Sequence, residues 1–145
     1  MIDGVTAMST LLQHLTAAQF AMIADQAACA EADRQRDAKP PQRPLTAAEW
    51  VKRAIPVLPS ERVLSDMLYA MSLDALLELE VIMCIGCEAE EPQHYRKAVA
   101  SLRRRFHDHD ATVAYLVGKA PLHEYLRRGW ERLREEPRPW PPTEA

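Results

Sequence analysis

The chain has 145 residues, 48% of them apolar, with four glycines and a formal net charge of −3. That length makes one domain that buries a core without metal or disulfide staples, and scarce glycine beside abundant Ala, Leu, Glu and Arg excludes a turn-rich all-β architecture. The acidic balance excludes a generally basic nucleic-acid-binding surface and leaves room only for a local basic patch.

In chain order, residues 6–37 read as one long helix. Met8, Leu11, Leu12, Leu15, Ala18, Met22 and Ile23 recur at three- and four-residue steps, with Thr6 or Ser9 as the cap. The stretch from Asp25 to Asp37 turns polar, and Lys39-Pro40-Pro41-Gln42-Arg43-Pro44 ends the helix, because proline lacks an amide donor and restricts its predecessor. Thr46-Ala47-Ala48-Glu49 is a capping box that opens a short helix to about Ile55, in which Trp50 and Val51 are available for burial. Pro56 and Pro59 stop it. Ser60 is the expected cap of the next helix, with Val63, Leu64, Met67, Leu68 and Met71 as its apolar positions.

Ser72 then caps a helix from Leu73 to about Ile85, apolar on nearly every side, as a central helix is. Gly86 is the expected stop. After Glu88-Ala89-Glu90-Glu91-Pro92 comes a helix with a stripe of Tyr95, Ala98, Val99, Leu102 and Phe106, acidic at its start and carrying Arg103, Arg104 and Arg105 at its end. Asp108 or Asp110 caps a short helix that ends at Gly118. Pro121 opens the last helix, with Leu122, Tyr125, Leu126, Trp130 and Leu133 on its face, and Pro137 and Pro139 close it. These signals give an all-α single domain of about six helices. Residues 1–38 form an N-terminal helix packing partly outside it, 39–45 a proline-rich linker, 46–136 the helical domain and 137–145 a disordered tail.

The first basic residue is Arg34, so the early apolar stretch lacks the basic flank of a secretory signal, and it is too short to span a bilayer. Three cysteines, Cys29, Cys84 and Cys87, suggest no closed disulfide framework and suit a reducing cytoplasm. The expectation is a cytoplasmic protein with no membrane contact and no cofactor.

Tyr115-Leu116, Gly118, Pro121-Leu122, Tyr125-Leu126 and Gly129, with Leu76-Leu77-Glu78-Leu79 and Ile85-Gly86, give residues 73–133 a resemblance to a family of small proteobacterial proteins catalogued only as a domain of unknown function. The family tends to carry a tryptophan–leucine–glycine–arginine run where this chain has Cys84-Ile85-Gly86-Cys87. The resemblance implies helical architecture and a bacterial or mobile-element origin. It assigns no activity and no functional residue.

Candidate chemistry is sparse. Cys84 and Cys87 form a C-x-x-C that His94 with His107 or His109 would complete as a closed zinc site; against it, Cys84 reads as a small hydrophobe within an apolar helix. His107-Asp108-His109-Asp110 offers metal-binding or acid–base groups, or simply a polar turn with an aspartate cap. Glu91-Pro92-Gln93-His94 matches one half of a di-iron motif whose other copies are missing. Glu78 and Glu80 diverge by about 200° around a helix and cannot act as a pair. His14 and His123 read as surface or boundary residues, and no nucleophile elbow is present.

Arg96, Arg103 and Arg104 make a basic patch suited to phosphate, whereas Arg127, Arg128, Arg132 and Arg134 alternate with Glu124, Glu131, Glu135 and Glu136 and read as a salt-bridged face. The long N-terminal helix carries Met8, Leu11, Leu12, Leu15, Phe20, Met22 and Ile23, more apolar surface than one covering helix needs. It pairs with its twin or a partner helix, or packs on its own domain. The leading expectation is a non-enzymatic protein–protein interaction module, a homodimer or a regulatory factor; the alternatives are a Cys/His metal protein and a nucleic-acid-binding protein.

Overall fold

A computed structural model of the protein describes residues 11–37, 43–44, 46–49, 58–105 and 108–136. Among these residues the regular elements are all helical: α1 (Ala17–Asp37), α2 (Pro59–Tyr69), α3 (Leu73–Gly86), a 3-10 turn (Pro92–His94), α4 (Tyr95–Arg104), α5 (His109–Gly118) and α6 (Leu122–Glu135). Most of the proline-rich connector, the helix expected through Ile55 beyond Glu49, with Trp50 and Val51, and the C-terminal tail lie outside the described residues.

The apolar composition of α3 puts it at the centre. Leu76, Leu79, Ile82, Met83 and Ile85 are buried on different sides of the helix, against α6, α4 and α5. Its start is fixed as expected, with the Ser72 hydroxyl accepting from the Ala75 amide at 3.2 Å. It ends at Gly86 as expected, but not through a left-handed glycine. Gly86 is not in the left-handed region; that conformation falls on Glu88, with φ 65°, in the turn after the helix. Gly86 serves packing instead. A Cβ there would overlap the Tyr125 carbonyl oxygen of α6, and a Cβ on Gly129 would overlap the Ile82 carbonyl oxygen of α3. Two glycines, one on each helix, let the α3 and α6 backbones touch. Arg132 of α6 then donates to the Ile85 carbonyl at the end of α3 and pairs with Glu91 at 3.6 Å, a cation on the negative helix terminus.

The N-terminal helix does not run unbroken from residue 6. Residues 12–16 are non-helical, and α1 starts only at Ala17. Two interactions make the break. The Glu78 side chain, 2% exposed on α3, accepts from the Gln13 amide at 2.7 Å, His14 at 3.0 Å and Leu15 at 3.2 Å, drawing these donors away from helical partners. Thr16 and Gln19 then form a capping box, each side chain accepting from the other's backbone amide at 3.0 Å.

From that start α1 lies across α2 and α6. Phe20, Ile23, Ala27 and Ala30 are buried in the common core. Polar contacts hold its far half: Gln26 donates to the Ser60 carbonyl at 3.0 Å, and Arg34 bridges Glu31 and the buried Glu61 at 2.8 and 3.2 Å. Ser60 does not cap α2. Leu58 is the cap residue and Pro59 occupies the first turn, where its missing amide costs nothing. Thr46 and Glu49 do form the expected box, at 3.3 Å in both directions, and Asp108 caps α5 through the Asp110 amide at 3.3 Å.

Candidate interaction surface

α1 repeats about every 3.6 residues, so up to residue 32 the face opposite Phe20, Ile23, Ala27 and Ala30 carries positions 18, 21, 22, 25, 28, 29 and 32. These are Ala18, Ala21, Met22, Asp25, Ala28, Cys29 and Ala32, all exposed except Ala28, which is half-buried. A solvated helix ordinarily turns charged residues outward. From Ala18 to Ala32 that face holds one charge, Asp25, and its largest side chain, Met22, is 62% exposed; Arg36 continues the face in the last turn, where it pairs with Asp33.

Beside this face α1 and α6 enclose a groove of about 310 Å³. Phe20 stacks on Trp130 in its floor, ring centroids 4.1 Å apart. Ala21, Ala24 and Ala28 give the α1 wall a low profile, and Asp25, Arg127 and Arg134 line the same groove. Glu131 lines it too, and none of these four charges is ion-paired among the described residues, whereas their neighbours on α6 are: Arg128 with Glu124 at 3.5 Å, and Arg132 with Glu91. The salt-bridged reading of α6 therefore holds for Arg128 and Arg132 and leaves Arg127 and Arg134 open. His123 also lines the groove, and its buried Nδ1 has no hydrogen-bond partner among the described residues.

The seven side chains singled out for a partner divide. Leu11, Leu12, Leu15, Phe20 and Ile23 are buried within the chain, Met22 is at the surface, and Met8 lies outside the described residues. The outward stripe of small residues was missed in the sequence because alanine carries little signal in an apolar count; the absence of charge from Ala17 to Ala30 apart from Asp25 is the signal that marks it.

The described members of the Cys/His set do not come together. Among the described residues no three His, Cys, Asp or Glu side chains converge to hold a metal. Cys87 Sγ donates to the Cys84 carbonyl at 3.4 Å, His94 Nδ1 faces Glu90 at 3.5 Å, and His109 Nε2 is 2.8 Å from the Met71 carbonyl. His107 lies outside the described residues. Burial, reinforced by Cys87, Glu80 and Glu90, pushes the Cys84 thiol up to about 11. At pH 8 roughly one Cys84 in a thousand is thus a thiolate, the reactive form. A thiol reagent applied to folded protein at pH 8 is expected to label the exposed Cys29 and spare Cys84 until denaturant is added; prompt labelling of Cys84 would show its surroundings to be open.

Of the basic trio, Arg103 is bound to Asp74 at 3.1 Å, Arg96 lines a small cleft with Glu78 and Tyr95, and Arg104 is exposed. Glu78 and Glu80 diverge as expected, Glu78 into that cleft and Glu80 into a groove lined by Leu102, Arg105 and Tyr115. No helix among the described residues is long and apolar enough to cross a membrane.

An all-helical domain built on the glycine crossing of α3 and α6 is the class that fold and surface define. Residues 61–134, just over half of the chain, match the family model described as protein of unknown function (DUF3775), and the chain belongs to that family. No curated protein and no solved structure matches it. The matched segment holds Glu78, Gly86 and Gly129 and contains the 73–133 resemblance. It excludes α1, so the outward stripe lies on a part of the chain that the family model does not reach.

Proposed function

We propose that the protein is a non-enzymatic helical interaction module whose docking surface is the outward face of α1 with the adjoining α1–α6 groove. One observation carries this reading: from Ala18 to Ala32 a surface helix presents seven outward positions with a single charge, next to a groove floored by two stacked aromatics. Exposed apolar surface of this kind mediates contact between chains. A helix laid against it would meet small side chains that permit close approach and find Arg127 and Arg134 for its acidic positions. A cytoplasmic setting fits three free thiols, and a bacterial accessory role rests on the resemblance over residues 73–133.

The test is affinity recovery from the native cell with wild-type protein and with Ala28→Glu, a change on the proposed face that leaves the buried Phe20, Ile23, Ala27 and Ala30 unaltered. A stoichiometric partner held by the wild type and lost by Ala28→Glu is expected. Equal recovery by both proteins would remove α1 from the interface.

A further inference from the structure

The α1–α6 groove opens where the chain leaves α6. Arg134, at one end of its α6 wall, is followed back along the same face by Glu131 and Trp130, Arg127 and His123, at helical spacing. The helix stops at Glu135, and Glu136 already leaves it in extended backbone, with φ −63° and ψ 118°. Next comes the segment Pro137-Arg138-Pro139-Trp140-Pro141-Pro142-Thr143-Glu144-Ala145, which lies outside the described residues. From where it starts and what it carries, we infer that this segment turns back along α6 and occupies the groove. The chain then covers part of its own docking surface, and a partner must displace it. That regulatory meaning rests on the docking reading above; the contact itself does not.

Chemistry and length both name this occupant. Proline-rich segments hold an extended helix with little freedom left to lose, and aromatic-lined grooves take them up. Phe20 stacked on Trp130 is such a lining, and the segment sets four prolines around a tryptophan. From Arg134 back to His123 the α6 wall rises about 16 Å. With Glu136 and Pro137 spent on the reversal, Arg138 comes level with Arg134, and the eight residues from there advance about 22 Å at ~3.1 Å per step, enough to run the groove. Trp140 stands about 6 Å into that run, which is four residues of helix and therefore the level of Trp130. Charge fits without being the selector. Asp25 and Glu131 balance Arg127 and Arg134 in the groove, and Glu144 balances Arg138 in the segment. A neutral groove suits a neutral segment, and the attraction left is that of indole and proline rings for an aromatic floor between alanine walls.

Fluorine NMR of the full chain labelled with 5-fluorotryptophan tests this. The chain has three tryptophans, and Trp140→Phe identifies the Trp140 signal by its loss. In native wild-type protein that signal is expected away from its position in denaturant and unmoved by dilution, as a contact within one chain requires. Ala21→Glu places a charge on an exposed position of the groove; it is expected to return the Trp140 signal to the denatured position with the helical circular-dichroism spectrum retained. A wild-type signal already at that position overturns the inference. So does a displacement that fades on dilution, which puts the segment in another copy, or one indifferent to Ala21→Glu. If the segment holds the groove in half the molecules or more, Trp140→Ala raises the apparent affinity for the native partner about twofold or more; unchanged affinity overturns the regulation. Failure of the two readings looks different. A free Trp140 beside a native partner that Ala28→Glu loses leaves the docking surface standing and removes only the segment from it. A displaced Trp140 with a partner that Ala28→Glu retains keeps the contact and removes the docking reading, and the regulation with it.

Discussion

Gly129→Ala is expected to destabilise the protein by roughly 2–4 kcal/mol, although the same exchange inside a helix ordinarily stabilises by about 1 kcal/mol. The sign reverses because the obstacle is main chain. An added methyl on Gly129 overlaps the Ile82 carbonyl oxygen and approaches the Ile82 Cγ2, and a backbone carbonyl in the middle of α3 cannot rotate away as a side chain can. Relief requires α3 and α6 to move apart, which opens the packing of Leu126 and Leu133 against the central helix. Gly86→Ala meets the same barrier from the other side, at the Tyr125 carbonyl. Gly118 supplies the control. Nothing lies within 4 Å of its missing Cβ and its φ is ordinary, so Gly118→Ala is expected to be neutral or to stabilise by a few tenths of a kcal/mol. Urea denaturation of the three variants reads this directly. A Gly129→Ala protein as stable as the wild type would show that the two backbones do not meet at that point.

The same pair of glycines shows what the sequence could and could not convey. Gly86 and Gly129 both stand in the resemblance to the family, so their presence was visible. Their purpose was not, because a glycine after an apolar helix is also the commonest stop signal, and only the approach of α6 tells a packing glycine from a capping one. The centrality of α3 was legible, since its apolar residues leave no polar face to turn outward.

The capping boxes make a sharper comparison. Thr46-Ala47-Ala48-Glu49 and Thr16-Ala17-Ala18-Gln19 share one pattern, and both form in the structure. The first follows prolines and was recognised. The second sits inside a run of leucines at helical spacing, and periodicity carried the expected helix straight across it. What breaks that run is Glu78, more than sixty residues away in the chain, and no local pattern contains it. The side chains assigned to a partner failed to share a surface for a related reason. The strongest apolar residues, the leucines and Phe20, are the ones the core itself has use for, and the weaker alanine stripe remains outside. For Cys84, Cys87, His94 and His109, proximity in sequence suggests a cage, whereas Cys87, His94 and His109 are each held by a different neighbour and Cys84 packs against the core.

Glu78→Ala should cost about 3–5 kcal/mol and lower the melting temperature by on the order of 10 °C, a loss out of proportion to the contacts of one side chain. Its carboxylate accepts three consecutive amides from a segment that has no secondary structure to satisfy them, and a buried amide left without a partner costs about 1–3 kcal/mol. Leu11, Leu12 and Leu15 are buried on either side of those amides, so the segment cannot swing out to water without exposing them. Glu78→Gln keeps the shape and one oxygen but turns an amino group towards backbone donors, and is expected to lose roughly half as much. Hydrogen exchange localises the effect: the amides of Gln13, His14 and Leu15 should lose protection in Glu78→Ala, and residues 12–16 should become a site of limited proteolysis. Unchanged protection at those three amides would show that something other than Glu78 anchors the segment. The helix that follows has its own hold on the core, through Phe20, Ile23, Ala27 and Ala30 and through Arg34 on Glu61. Docking through the outward face of α1 should therefore survive Glu78→Ala at temperatures below its melting point, because the anchor fixes where α1 begins and the buried stripe fixes which way it faces.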